Sequence, residues 1–263
     1  MTKITITKIL SVVLTSVIII SALCFNISAV EVYNWYCKRT KDHSKPPLAE
    51  EFEFIGSYSG HYIGLTDEKK IYLTFDAGYE NGNVAKILDV LKENETPAAF
   101  FVLSNLICTN TDLVKRMADE GHLVCNHTSK HKDMSKINDK ESFEKELKAL
   151  EDIYKEKTGR EMAKYFRPPE GKFTKQTLEF ANGMGYKTIF WSFAYADWDN
   201  NSQMSESAAK AKILDNIHSG AVILLHPTSA TNAAILEDVI KELKDLGYTF
   251  GTLDELVRNN IRR

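Results

Sequence analysis

Ile71-Tyr72-Leu73-Thr74-Phe75-Asp76-Ala77-Gly78-Tyr79 begins as a strand and ends as a polar turn. Its first five residues are mostly β-branched or aromatic and suit a buried, pleated segment. Asp76 follows the apolar run, and Gly78 lets the chain turn immediately after it. The same arrangement recurs along the chain. Ala98-Ala99-Phe100-Phe101-Val102, Leu123-Val124-Cys125, Tyr165-Phe166, 188–191, 221–225 and Tyr248-Thr249-Phe250 are further short apolar runs. Between them lie segments with helical spacing. Residues 84–92 place Val84, Ile87, Leu88 and Leu91 on one face, and 112–120 stop at Gly121. A helix capped by Asn138 with Glu141 carries Phe143, Leu147, Leu150 and Tyr154 on one face and ends at Gly159. Residues 174–184, 205–218 and 233–246 are followed by Gly185, Gly220 and Gly247, as helix ends prefer, and 253–259 form a last helix. About seven βα units in one series imply an α/β fold with a parallel sheet covered by helices. Periodicity leaves an open doubly wound sheet and a closed barrel equally available.

Five polar clusters sit at or just after strand ends, where α/β folds gather catalytic groups. The first is the turn at Asp76. The second is His127-Thr128-Ser129-Lys130-His131, whose histidines are four apart, so one helical turn would present both imidazoles to one cation. The third is Arg167-Pro168-Pro169-Glu170-Gly171, a loop stiffened by prolines, with a guanidinium able to keep a carboxylate ionised. Asp197-Trp198 sets a carboxylate beside a broad apolar ring. Leu224-Leu225-His226-Pro227 brings a histidine out of an apolar strand, as suits a general acid. Each cluster has a plainer alternative: a turn Asp, surface histidines, a rigid surface Arg, a solvated Asp beside a core Trp, a satisfied core His. Together they make up the parts of a metal-assisted hydrolase.

The chain has 263 residues, 43% apolar and 26% charged, with a formal net charge of -3. That balance gives no reason to expect a nucleic-acid partner. Lys3 and Lys8 precede an apolar stretch over 9–30 that has no acidic residue and is long enough to span a bilayer. Residues 1–30 are therefore expected to be a signal peptide or membrane anchor, with the protein secreted or membrane-anchored and extracytoplasmic. Ile27-Ser28-Ala29 is an imperfect cleavage site, and Leu23 before Cys24 is too large for a lipoprotein signal. Cys37, Cys108 and Cys125 form neither a disulfide framework nor a CxxC metal motif. Residues 31–65, with Pro46-Pro47, show no clear period and are expected to be an N-terminal extension before a domain at 66–258.

The order Thr-Phe-Asp-x-Gly, His-[Ser/Thr]-x-x-His, Arg-x-Pro-x-Gly, Asp-Trp and Leu-Leu-His resembles the polysaccharide deacetylases, the NodB-type carbohydrate esterases. Thr74-Phe75-Asp76-Ala77-Gly78-Tyr79-Glu80-Asn81-Gly82 and Trp191-Ser192-Phe193-Ala194-Tyr195 resemble the branch that makes muramic delta-lactam in spore-cortex peptidoglycan. The resemblance implies a distorted (β/α)7 barrel and removal of N-acetyl groups from peptidoglycan glycan strands. It implies Asp76 as catalytic base, Arg167 as its orienting partner, His226 as general acid and Asp197 as the carboxylate tuning that acid. It implies the Glu170 N–H as an oxyanion donor, Trp198 and Leu224 as an acetate pocket, and His127 and His131 as ligands of a divalent metal, zinc first. Ala77 stands where most of the family has a metal-binding Asp. Two imidazoles alone leave a tetrahedral zinc shell incomplete, so weaker metal binding is expected. Deacetylation of GlcNAc in peptidoglycan or chitin, or a glycan-binding protein without chemistry, are the alternatives.

Overall fold

Each of the seven apolar runs forms a strand in the computed structural model, which describes residues 30–40 and 42–261. In chain order the strands are β1 Tyr33–Asn34, β2 Gly60–His61, β3 Lys70–Ala77, β4 Ala99–Val102, β5 Leu123–Asn126, β6 Ala163–Phe166, β7 Lys172–Phe173, β8 Lys187–Ile189, β9 Phe193–Ala194, β10 Ala221–Leu225 and β11 Thr249–Phe250. The helices are α1 Val84–Glu93, α2 Ser104–Thr109, α3 Thr111–Asp119, α4 Lys140–Thr158, α5 Lys175–Gly183, α6 Glu206–Asn216, α7 Ala230–Asp245 and α8 Leu253–Ile261. Helix α4 is capped by Asp139, which accepts from the Ser142 N–H at 2.7 Å, and not by Asn138 as the capping pattern predicted. Helix α7 begins three residues earlier than its apolar spacing predicted, because Ser229 caps it.

The main sheet is parallel, with strands in the order β2-β8-β6-β5-β4-β3-β10-β9. Its two ends are nearly the same piece of chain, since β9 follows β8 after three residues. The N–H groups of Thr188 and Phe190 bond to Ser59 and His61, and that of Ser192 bonds to Val222. Alternate residues of a strand direct their N–H groups to one edge. One edge of the 187–194 segment is therefore taken first by β2 and then by β10, and the curled sheet is joined through it. The seventh strand is displaced in a similar way. The Lys69 and Ile71 carbonyls accept from Thr249 and Gly251, and the Lys70 carbonyl accepts from Gly220 on the other side. Strand β11 thus lies along the start of β3 on the edge that β4 occupies further up. The seven strands are not equivalent staves of a regular barrel, and this is the distortion.

Side-chain alternation sorts the core into two layers. Tyr72, Phe101, Cys125, Tyr165, Ile189 and Val222 fill the inside of the curl, and Leu253, Leu256 and Val257 of α8 join them. Ile71, Leu73, Phe75 and Ala77 face outward with Phe100, Val102 and Ile223, against Ile87, Leu88 and Leu91 of α1 and Ile235 and Val239 of α7.

The 31–65 segment is not set apart from the domain. Residues Val32–Arg263 form one compact unit. Strand β2 joins the main sheet, and β1 pairs antiparallel with β7. Tyr33, Trp35, Phe52 and Ile55 pack with Phe173, Leu178 and Phe190. Residues Glu50–Tyr58 form a 3-10 helix, and that geometry together with two-residue strands leaves no amphipathic period to read. The expected signal or anchor lies, apart from Val30, outside the described residues. Among the described residues no helix is long and apolar enough to cross a membrane.

Candidate active site

The inward rows of the strands lead directly into a cavity of about 660 Å³. Two residues beyond the interior positions Thr74, Phe101, Cys125, Ile189 and Leu224 come Asp76, Leu103, His127, Trp191 and His226, all lining that cavity. Strand alternation alone therefore gathers five separated parts of the sequence at one mouth. Ala77 has the opposite parity. It is fully buried in the outer apolar layer with Phe75 and Val84, so position 77 gives the cleft no donor atom.

Asp76 is held from behind. Arg167 is 0% exposed and donates from Nη1 to Asp76 Oδ1 at 2.7 Å. Its other hydrogen bonds run to Thr74 Oγ1 at 2.9 Å and to the Ile189 and Phe190 carbonyls at 3.0 and 3.4 Å. Its guanidinium lies 4.2 Å from the centroid of the Phe101 ring. Thr74 in turn donates to the Ile223 carbonyl at 2.6 Å. Burial alone would raise the pKa of Asp76, but the charges of Arg167, His127 and His226 and the Arg167 hydrogen bond outweigh it and lower it. Such a carboxylate is ionised at neutral pH and can accept a proton.

Opposite stands His226. Its Nδ1 lies 2.7 Å from Asp197 Oδ1, and its N–H donates to Asp197 Oδ2 at 2.8 Å. Burial alone would lower its pKa, yet the Asp197 hydrogen bond and charge, with Asp76, raise it above the ordinary value. Its Nδ1–H donates to the carboxylate, so Nε2 is the nitrogen left to exchange a proton. Trp198, 62% exposed, lies with its ring centroid 6.2 Å from that of His226. Leu224 lines the same wall.

The turn Pro169–Gly171 supplies the third side. Glu170 is left-handed there, with φ 58°, and lines the cavity, while its carboxylate turns to Lys172 at 2.5 Å. Gly171 also has positive φ, and a Cβ on it would come within 2.8 Å of Trp191 and 3.0 Å of Trp35. Only glycine fits, because its φ is positive and Trp191 and Trp35 are packed against this turn. The Trp35 N–H donates to the Gly171 carbonyl at 2.8 Å, and its indole N–H donates to the Trp191 carbonyl at 2.9 Å.

A family model for polysaccharide deacetylases matches residues 64–189. Over 229 residues the chain is 40% identical to the peptidoglycan-N-acetylmuramic acid deacetylase PdaA of Bacillus subtilis (strain 168), and the match covers 86% of each protein. The chain belongs to the polysaccharide deacetylase family. The solved structure of the Bacillus subtilis protein, described as a family 4 carbohydrate esterase, has a TM-score of 0.84 and 38% identity to it over 88% of this chain and 98% of that one. The deacetylase is also 35% identical over 192 residues to the peptidoglycan-N-acetylglucosamine deacetylase PgdA of Listeria monocytogenes serotype 1/2a (strain 10403S), covering 72% of this chain and 39% of that protein. This deacetylase is thus a hydrolase of carbon–nitrogen amide bonds.

The two histidines meet, but not on a helix. Residues 127–133 are a loop, and left-handed Thr128 and His131 bend it until the two imidazole centroids are 5.0 Å apart. His127 Nδ1 lies 2.9 Å from the Arg167 carbonyl. A carbonyl only accepts, so Nδ1 carries the proton and the Nε2 lone pair is free, 3.5 Å from Asp76 Oδ2. Burial lowers the His127 pKa to about 4, so the ring is neutral at physiological pH. A neutral imidazole pinned by a backbone carbonyl fits a metal ligand. The set remains small: among the described residues no group of three His, Cys, Asp or Glu is arranged to hold a metal ion. His127 and His131 are the two imidazoles that a divalent cation would meet here.

Several residues of the site carry no chemical signal in the sequence. Thr74 looks like an ordinary strand residue, and Tyr195 and Asn232 look like core and helix positions. Asn81 and Asn83 donate to the Thr228 carbonyl at 2.8 and 3.1 Å, tying the turn after Asp76 to the loop after His226. Glu80 accepts from the Gly82 and Ala85 N–H groups and caps α1 in place of Asn83. The Glu80-Asn81-Gly82 motif therefore braces the turn after Asp76 against the loop after His226.

Proposed function

We propose that this deacetylase removes the N-acetyl group of N-acetylmuramic acid in peptidoglycan, outside the cytoplasmic membrane, and serves muramic delta-lactam formation in spore cortex. The substrate rests on the higher identity to the muramic acid deacetylase, 40% against 35% and 30% for two peptidoglycan GlcNAc deacetylases. The Lys-flanked apolar segment at 1–30 supports export, as a cleaved signal or an anchor, to where peptidoglycan is the glycan at hand.

The chemistry rests on the paired arrangement of Asp76 with Arg167 and His226 with Asp197. Asp76 takes a proton from the attacking water, and Arg167 keeps it ionised and aimed. As water adds to the acetamide carbonyl, negative charge grows on the carbonyl oxygen, and the Glu170 N–H is the donor that receives it. A single donor of this kind typically contributes about 2.7–4 kcal/mol to transition-state stabilisation. His226, held protonated by Asp197, gives its Nε2 proton to the amine as the C–N bond breaks. Trp198 and Leu224 enclose the acetyl methyl. His127 and His131 would hold a divalent cation, zinc first by ligand type, which when bound polarises the carbonyl and makes water more acidic.

A muramic acid without its peptide carries a free lactyl carboxylate, on which the liberated amine can close as a lactam with loss of water. Peptide-stripped glycan strands are therefore the preferred substrate. The test is acetate release, with mass spectrometry of the products, from such strands and from GlcNAc oligomers. Faster release from the strands, with the acetyl group lost from muramic acid, is expected. Equal or faster release from GlcNAc oligomers would overturn the muramic assignment and leave a GlcNAc deacetylase.

A further inference from the structure

Asn232 is fully buried in the first turn of α7, three residues after its cap Ser229. The Ser229 hydroxyl accepts from the Asn232 N–H at 3.0 Å, which fixes the register at which Asn232 enters the site. None of its side-chain bonds goes to the helix. Nδ2 donates to Asp197 Oδ2 at 2.6 Å and to the His226 carbonyl at 3.1 Å. Oδ1 accepts from the Tyr195 hydroxyl. The His226 carbonyl can only accept, so the orientation of the amide is determined by its partners.

Asp197 consequently receives three donors: His226 Nδ1–H, the His226 backbone N–H and Asn232 Nδ2. Two of them come from one residue, and the third comes from an amide that also grips that residue's carbonyl. The positive end of the α7 dipole adds to the preference for a carboxylate at this place. The imidazole has its backbone fixed on both sides and its Nδ1 fixed by a carboxylate that cannot rotate.

We propose that Asn232 is a positioning residue for proton delivery to the departing amine, fixing Asp197 and the His226 backbone together, with Tyr195 locking the Asn232 amide. This rests on the general-acid assignment of His226 above. In the step it serves, the C–N bond breaks, its electron pair goes to nitrogen, and the proton on His226 Nε2 moves to that nitrogen. Acetate leaves with the oxygen that came from water. An aryl acetate has no such need, because its phenolate departs unprotonated. Loss of acid positioning therefore slows amide cleavage selectively, whereas general damage to the cleft slows both.

The experiment compares wild type, Asn232→Ala, Tyr195→Phe and His226→Ala on peptide-stripped glycan strands and on an aryl acetate. A positioned general acid contributes about 10²- to 10⁴-fold; Asn232→Ala is expected to lose about 10- to 100-fold of that in kcat for the glycan. Its KM for the glycan and its rate on the ester should each change less than about threefold. Tyr195→Phe, which removes only a hydroxyl, should show the same selectivity at smaller size and serves if Asn232→Ala folds poorly. In NMR, the low-field Nδ1 proton of His226, assigned by its loss in His226→Ala, should shift or broaden in both variants. Equal losses on amide and ester, wild-type amide turnover, or an unchanged Nδ1 resonance would each overturn the proposal. If His226→Ala itself failed to discriminate between the substrates, the acid assignment would fall, which is a separate outcome from Asn232→Ala alone failing to do so.

Discussion

On one side of the cleft a carboxylate, Asp76, faces the cavity with a cation, Arg167, behind it; on the other an imidazole, His226, faces the cavity with a carboxylate, Asp197, behind it. The supporting groups, Arg167 and Asp197, are buried on both sides, while the His226 side chain keeps 24% exposure and that of Asp76 keeps 9%. The outcome is opposite in sign: Asp76 is pushed down and His226 is pushed up. Pairs of groups driven apart in this way mark an acid and a base that coexist in their working forms. In the proposed mechanism, reversing which group faces the cavity makes one side take a proton and the other give one.

The most severe way to break this arrangement is to remove a front group. Asp76→Asn and His226→Ala should each lower acetate release by about 10²- to 10⁴-fold with circular dichroism unchanged, since the proposed mechanism has each group transfer a proton. Wild-type turnover by either variant would remove it from its role. Removing a rear group tests stability as well. Arg167→Met strips a buried cation from a buried carboxylate, and breaking such a pair costs roughly 3–5 kcal/mol. Denaturant unfolding should show a loss of that order, larger than for Asp197→Asn, which keeps a side chain of the same shape among its donors. Equal losses would mean that the two rear groups are equivalent supports. A smaller effect separates the sides through the metal. His131→Ala should weaken divalent-ion affinity by at least about 10-fold, the lower range for disturbing even outer groups of a metal site, and a chelator should strip the wild type readily. Titration calorimetry checks both, and full activity in chelator would show that the Asp76 side works without an ion.

The sequence made the front groups and the two charged groups behind them legible and hid the neutral polar residues that hold them. Asp76, His127 and His226 are titratable residues just past apolar runs, and a period of two carries them into one cavity, while Arg167 stands buried behind Asp76. Trp198 and Leu224 are visible through the resemblance to the polysaccharide deacetylases. Thr74 and Asn232 act through single hydrogen bonds, and their types are as common in strands and caps as in active sites. The cap at Asp139 was displaced by one residue because Asn138 and Asp139 are equally good cap types. The 31–65 segment stayed unread because its burial depends on contacts with Phe173 and Phe190, more than a hundred residues away in sequence.

The pH dependence of kcat/KM reports both sides of the cleft in the free enzyme. Asp76 must be ionised and His226 protonated. The wild type should therefore show an acidic limb below the ordinary carboxylate range and a basic limb above 6.5. In Asp197→Asn the two larger interactions that raise His226 are gone while burial and the weaker pull of Asp76 remain, so the basic limb should move down by at least about one pH unit while the acidic limb stays. A basic limb that did not move, or an acidic limb that moved in its place, would contradict the assignment of the two halves.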